Sequence, residues 1–329
     1  MIIPITEALL QGHVSVQSDE KLIQPWRLWY DKIQLFHDEN FISRAACSAG
    51  VRLSFKSDAK AITLKVHCEG DGYFDLLSDN QMLQRVKVEE GSDSIHFNCN
   101  LSKESLTEIW LPQKAICKLQ SLEVHDATFF EIPEQKQKKW ITYGSSISQC
   151  GEAFGPSDTW PAIVAKQNDL HLTCLGYGGQ CHIDGMMGKV ITSLEADVIT
   201  LKLGINVYGN GSLNKRSYYP AVVNLIHTIR SKFCTTPIGI ITPIISPPRE
   251  KELNAVGMSL EDYRIENRRV VETFKQYGDQ SIFLYEGHDI FGEDYVDYLP
   301  DELHPNGLGY QLLGENFSKV VMKDLLSKV

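Results

Sequence analysis

Apolar and polar residues alternate with a period of two through most of the first 130 positions. VRLSF (51–55), AITLKV (61–66), YFDLL (73–77), QRVKV (84–88), SIHFNCNL (94–101), TEIWLP (107–112) and KLQSLEVHDATFF (118–130) run apolar or alternate between Gly, Asp and Ser turns. Side chains that alternate between two faces of a pleated strand produce this rhythm, and short strands between turn residues predict an all-β, jelly-roll-like sandwich.

The rhythm changes across EIPEQKQKK (131–139), a polar segment with one proline. Beyond it the apolar runs KWITYG, LHLTCLGY, ADVITLKLG, TPIGIITPII and SIFLYEG alternate with helix-length stretches around 159–168, 184–195, 218–232 and 260–277. A last helix is expected from about Gly307 to Leu326. Strands apolar on both faces and separated by helices predict a parallel sheet inside a three-layer, flavodoxin-like α/β domain. The expected division is 1–135 for the sandwich and 136–329 for the α/β domain.

Composition narrows the partners. The chain has 329 residues, is 43% hydrophobic and carries a formal net charge of -10, with no lysine or arginine block beyond Lys136-Gln137-Lys138-Lys139. This argues against a nucleic-acid or anionic-membrane surface and for a small-molecule partner. MIIPITEALLQGHV lacks a basic leader and is interrupted by Pro4 and Glu7, so a cytoplasmic location is expected, with no membrane span. Eight dispersed cysteines without a C-x-x-C pair predict reduced thiols, mostly core filler. A homo-oligomer is compatible with these numbers, which do not decide oligomeric state.

In a parallel α/β sheet, ligands bind beyond the carboxyl ends of the strands, where loops converge. The first strand is followed by Gly144-Ser145-Ser146, the second by Gly176-Tyr177-Gly178-Gly179-Gln180, the third by Gly204-Ile205-Asn206; DELHPNG (301–307) precedes the last helix. One crevice would then gather a hydroxyl, a glycine-rich turn, an amide and an Asp/His pair. Acyl transfer needs that set: a serine nucleophile, a base for its proton, a carboxylate to hold the base's tautomer, and donors for an oxyanion.

These four segments, in this order, resemble the GDSL/SGNH hydrolase family. Gly144-Ser145-Ser146-Ile147 matches the family's Gly-Asp-Ser-Leu block with Ser145 in place of Asp, which makes Ser146 the nucleophile. Gly179 matches the glycine donor, Gly204-Ile205-Asn206 the Gly-x-Asn-Asp block with Val207 in place of its Asp, and Asp301-Glu302-Leu303-His304 the Asp-x-x-His block in full. The resemblance implies a catalytic triad of Ser146, His304 and Asp301, an oxyanion hole formed by Ser146, Gly179 and Asn206, and no metal or cofactor. Cys174 also departs from the pattern, standing where the second block usually opens with Asn. Gly72-Tyr73-Phe74-Asp75-Leu76 resembles a Gly-x-x-Asp-Leu element of β domains that precede some of these hydrolases.

Each residue has a plainer alternative. Ser146 and Asp301 would serve as turn or cap residues, His304 as a surface histidine, Asn206 as a left-handed turn residue. A phosphate cradle at Gly144–Ser146 would leave the Asp/His pair idle. An α/β-hydrolase elbow needs Gly-x-Ser-x-Gly, and position 148 is Ser. Cys181 reads as packing, and His182 or Asp184 at most as pocket residues. Tyr208 and Arg249 are substrate-binding candidates, with Lys215 and Arg216 weaker ones. The aromatic run PWRLWYDKIQLF (25–36) reads as interdomain packing before it reads as a sugar platform. The expected activity is a serine esterase on small O-acyl, foremost O-acetyl, esters of carbohydrates. An acyltransferase using the same serine, or a non-catalytic carbohydrate-binding protein, are the alternatives.

Overall fold

The computed structural model describes residues 1–19, 21–36 and 38–329. Two six-stranded antiparallel sheets form the N-terminal sandwich. In one, Ser15–Ser18, Ile23–Trp26, Ile116–His125, Ala61–Glu69 and Ser94–Asn98 lie side by side, and Ile2–Pro4 adds to Ile116–His125. In the other the order is Phe130–Glu131, Arg52–Ser57, Thr107–Trp110, Gly72–Ser78, Gln81–Val88, and Leu10–Gln11 adds to Arg52–Ser57. The period-two pattern has its cause here: Leu53, Phe55, Leu64, Phe74, Ile109 and Leu122 face inward and pack as one core. The short strands near the N-terminus and the helix Glu39–Ala46 had no counterpart in the periodicity.

The second half holds a five-stranded parallel sheet. Its strands are Lys138–Gly144, Leu170–Gly176, Val198–Lys202, Ile238–Ile241 and Ile282–Tyr285, arranged second, first, third, fourth, fifth. That is the flavodoxin-like order. Because strand-to-strand crossovers are right-handed, the reversal of direction at the first strand sends helices to both faces. Trp160–Gln167 packs on Gly307–Phe317, while Lys215–Arg230 packs on Met187–Ser193 and Leu260–Gln276. The last helix continues past Phe317 through one wider turn, Ser318–Met322, to Leu326. Among the described residues, no helix is long and apolar enough to cross a membrane.

The two halves share buried side chains. Trp26, Phe41 and Trp110 of the sandwich belong to the same apolar cluster as Trp140, Tyr143 and Tyr177 of the α/β half. Arg27 is fully buried; its Nε donates to Cys47 O at 2.7 Å and its Nη1 to Gly176 O at 2.5 Å, and it stands 5.0 Å over the Tyr177 ring. Arg52, paired with Glu108 at 2.8 Å, donates to Leu172 O at 3.2 Å. Trp26, Leu28 and Phe36 of the aromatic run therefore pack between the halves, with Trp29 Nε1 donating to Ser193 Oγ at 2.9 Å, while Tyr30 and Leu35 stay exposed. Arg27, whose three guanidinium nitrogens all find backbone acceptors, and Arg52, which joins Glu108 to Leu172 O, offset part of their desolvation this way and fix the sandwich against the sheet edge.

Candidate active site

The first parallel strand ends at Gly144, and the chain turns at once into the four-residue helix Ser146–Gln149. Ser145 is its N-cap: the hydroxyl is buried and accepts from Ile147 N–H at 3.2 Å. That cap turns Ser145 inward and leaves Ser146, at the first helical position, facing out. Two glycines allow so close a turn. A Cβ on Gly144 would sit 2.3 Å from Ser148 Oγ, and one on Gly176 2.5 Å from the backbone nitrogen of Gln149. Trp160 Nε1 holds the turn by donating to Ile147 O at 2.8 Å.

His304 and Asp301 approach from the loop before the last helix. Ser146 Oγ lies 2.8 Å from His304 Nε2, and His304 Nδ1 lies 2.6 Å from Asp301 Oδ2. The other carboxylate oxygen accepts from the backbone N–H of His304 at 2.7 Å and of Leu303 at 3.1 Å. A carboxylate accepts only, so Nδ1 carries the ring proton and Nε2 is the acceptor for the serine hydroxyl. Partial burial pushes the Asp301 carboxyl up, but the hydrogen bonds from the His304 ring and backbone outweigh it and hold it below the ordinary carboxylate range. The loop is braced at Glu302, whose carbonyl accepts from Ser246 Oγ at 2.7 Å and Arg249 Nη1 at 3.2 Å.

Two donors border the same space. Gly179 has φ of +73°, and its N–H donates to no described residue. Its carbonyl is held by His182 Nε2 at 3.0 Å, and the opposite ring nitrogen of His182 meets Ser212 Oγ at 2.8 Å. Asn206 follows Gly204, a glycine required by a φ of +125°. Cys181 N–H occupies the Asn206 side-chain oxygen at 3.0 Å, which leaves the amide NH₂ as its available donor. Ser146, His304, Gly179 and Asn206 line one cleft of about 430 Å³.

Tyr208 and Arg249, expected at the substrate, do not line this cleft. Tyr208 lies on the inward side of the helix Ile205–Asn210, 7% exposed, with its hydroxyl on Glu252 O at 3.3 Å. Arg249 is spent on Ser246 and Glu302, as a brace for the Asp/His loop. Lys215 and Arg216 open the helix Lys215–Arg230 on the surface, also away from the cleft. Cys181 is buried, and His182 acts on the glycine loop.

Arg44 and Lys114, which no sequence motif marks, reach the cleft from the sandwich. Gln149 was missed as well: it accepts from Gly178 N–H at 2.7 Å and donates to Gln113 O at 3.1 Å, tying the glycine loop to the sandwich.

Residues 137–322 match the family described as GDSL-like lipase/acylhydrolase, and residues 9–119 match the SsfX3 N-terminal domain. No curated protein matches the chain in sequence. Among solved structures it is similar to the salicylyl-acyltransferase SsfX3 from a tetracycline biosynthetic pathway, at 25% identity and a TM-score of 0.91, over 98% of this chain and 97% of that one. It also shares its fold with a GDSL-like lipase from Bacteroides ovatus, at 19% identity and a TM-score of 0.82, over 99% and 98% of the two chains. A family two carbohydrate esterase from Clostridium thermocellum, in complex with cellohexaose, aligns at 15% identity and a TM-score of 0.67, over 97% of this chain and 100% of that one.

Proposed function

The chain belongs to the GDSL-like lipase/acylhydrolase family, and we propose that within it this protein is a serine esterase that cleaves small O-acyl esters, O-acetyl groups on carbohydrates foremost, through an acyl-enzyme on Ser146. The observation that carries the proposal is the unbroken chain from Ser146 Oγ to His304 at 2.8 Å and from His304 to Asp301 at 2.6 Å.

In this reading His304 Nε2 takes the hydroxyl proton as Ser146 Oγ attacks the ester carbonyl, and Asp301 stabilises the imidazolium through Nδ1–H. The oxyanion receives the N–H groups of Ser146 and Gly179 and the amide of Asn206. Collapse expels the alkoxide, to which His304 returns the proton. A water deprotonated by His304 then attacks the acyl-enzyme, and the acid leaves with Ser146 restored. The His304 side chain is 29% exposed, so water has access to the base.

The cleft favours short acyl groups. Leu303 is the one branched aliphatic side chain among the described residues lining it; the others are polar, charged or glycine. A methylene that finds no apolar wall forgoes about 0.8 kcal/mol of burial. Carbohydrate as the alcohol half draws support from the fold shared with the family two carbohydrate esterase.

Transfer to an alcohol other than water is the second reading, favoured by the likeness to the salicylyl-acyltransferase along the whole chain. Both are tested by a series of 4-nitrophenyl esters, acetate to palmitate, with and without an added sugar alcohol. Hydrolysis predicts kcat/KM that falls beyond a few carbons and a free acid as the main product. A product that is mostly the new ester, with free acid a minor fraction, selects transfer. Rates that rise with chain length up to palmitate contradict the short-acyl assignment.

A further inference from the structure

Arg44 stands in the last turn of the helix Glu39–Ala46, in the sandwich half, and lines the cleft that holds Ser146 and His304. The backbone beneath it is pinned. Its carbonyl accepts from Arg27 Nη2, and the same guanidinium bonds Cys47 O and Gly176 O. Gly176 ends the strand from which the Gly178–Gly179 loop departs. Arg44 Cδ and Nε lie 3.6 Å from the point where a side chain on Gly178 would begin, so the guanidinium runs beside the loop that offers the oxyanion donor.

The charges around the cleft leave this cation without an anion. Lys114 Nζ stands 3.5 Å from Glu152, and Asp301 is engaged by His304. Arg44's guanidinium forms no ion pair and no hydrogen bond with any described residue. This occurs in a chain whose net charge is -10, where carboxylates outnumber cations. A planar fork of five donors, on a backbone pinned by Arg27 and lining a reaction cleft, matches an oxyanion in shape and charge.

We propose that Arg44 is a specificity-determining residue that binds an oxyanion, a carboxylate in the simplest case, carried by the ester this site acts on. The proposal rests on the esterase reading of Ser146 and assigns the sandwich domain a direct part in choosing the substrate.

Two matched ester pairs test it. In 4-acetoxybenzoate against 4-acetoxybenzamide the carboxylate lies on the alcohol side; in mono(4-nitrophenyl) succinate against 4-nitrophenyl pentanoate it lies on the acyl side. The wild-type protein is expected to favour the anionic member of one pair about tenfold in kcat/KM, mainly through KM, and which pair responds tells where the anion sits. Arg44→Gln should lower that anionic-to-neutral ratio about tenfold, Arg44→Lys should restore part of it, and 0.5 M salt should erode it. A ratio cancels any loss of folded protein. No anionic preference in either pair, or one that survives Arg44→Gln, overturns the proposal. If no ester is turned over at all, the esterase reading has failed separately. The same pairs titrated calorimetrically into Ser146→Ala, with and without Arg44→Gln, then decide the role of Arg44: anion binding that needs Arg44 supports it, and binding indifferent to Arg44, or absent, overturns it.

Discussion

Asp75, in the middle of a sandwich strand, accepts both the backbone N–H of Ser157 at 3.0 Å and its hydroxyl at 2.7 Å. Ser157 belongs to the α/β half, so one buried carboxylate oxygen joins two folding units. The same carboxylate takes Arg85 in bidentate fashion at 2.6 and 2.8 Å, and Arg85 continues to Asp158 at 2.7 Å. Gly155 leaves room for that guanidinium, since a Cβ there would fall 2.4 Å from it.

Removing Asp75 leaves Arg85 with Asp158 as its one carboxylate partner and strips the Ser157 N–H and hydroxyl of their acceptor at a buried interface. Asp75→Ala is expected to cost about 3–5 kcal/mol in urea unfolding, with the lost stability shared by both halves. A change below about 1 kcal/mol would mean that the contact is incidental to their docking.

Asn206→Ala should lower kcat about 10² to 10³-fold with a smaller change in KM, because a donor aimed at a developing oxyanion acts more on the transition state than on the bound ester. Steady-state kinetics with 4-nitrophenyl acetate checks it. An unaltered kcat would remove Asn206 from the oxyanion site.

Lys202 closes the third parallel strand with its amine buried and without a hydrogen-bond partner among the described residues. Burial lowers its pKa to about 8 from the ordinary 10.5. The folded chain therefore binds fewer protons than the unfolded chain between those values, and stability should rise with pH across that window. Lys202→Met should stabilise the protein near pH 7, by up to about 3 kcal/mol, and its advantage should shrink as pH rises from 8 toward 10.5. Urea midpoints measured across that range test both the sign and the window; an advantage that is constant with pH would contradict it.

Glu250 gives a slope of the same sign in the acid range, but as a stabilising group where Lys202 is a costly one. Burial raises its carboxyl, but His288, 3.6 Å away, and hydrogen bonds from Arg264 and Ser246 N–H prevail and hold it at about 2. Its contribution is complete above the ordinary value of 4.5 and is lost as pH falls from there toward 2. Glu250→Gln should flatten that part of the acid-unfolding curve, and a curve as steep as that of the wild type would assign the acid lability to other groups.

The parallel sheet was legible because its strands are buried on both faces: all five residues of Val198–Lys202 are buried, and apolar residues predominate there and in Ile238–Ile241 without a period-two alternation. The strands Leu10–Gln11 and Ser15–Ser18 were not, since two to four residues are too few to display a period. They exist through pairing with distant partners, as Leu10 with Leu53 shows. The site divides in the same way. Asp301 and His304 lie three residues apart on one loop and announce themselves, whereas Arg44 and Lys114 reach the cleft only because the sandwich docks on the sheet edge. Tyr208 was misplaced because a strand-end position does not reveal which side of the following helix a residue takes. The resemblance marks Ser146 rather than Ser145 as the nucleophile, and the cap bond of Ser145, whose buried hydroxyl accepts from Ile147 N–H, gives that choice its physical reason.

The most direct measurement is the intact mass of the protein after reaction with a fluorophosphonate probe, with the modified peptide sequenced. A single adduct on Ser146 is predicted, formed by the wild type and by Ser145→Ala, abolished in Ser146→Ala and slowed at least 10³-fold in His304→Ala. An adduct on Ser145, or none on a folded protein, would contradict the assignment of Ser146 as the nucleophile.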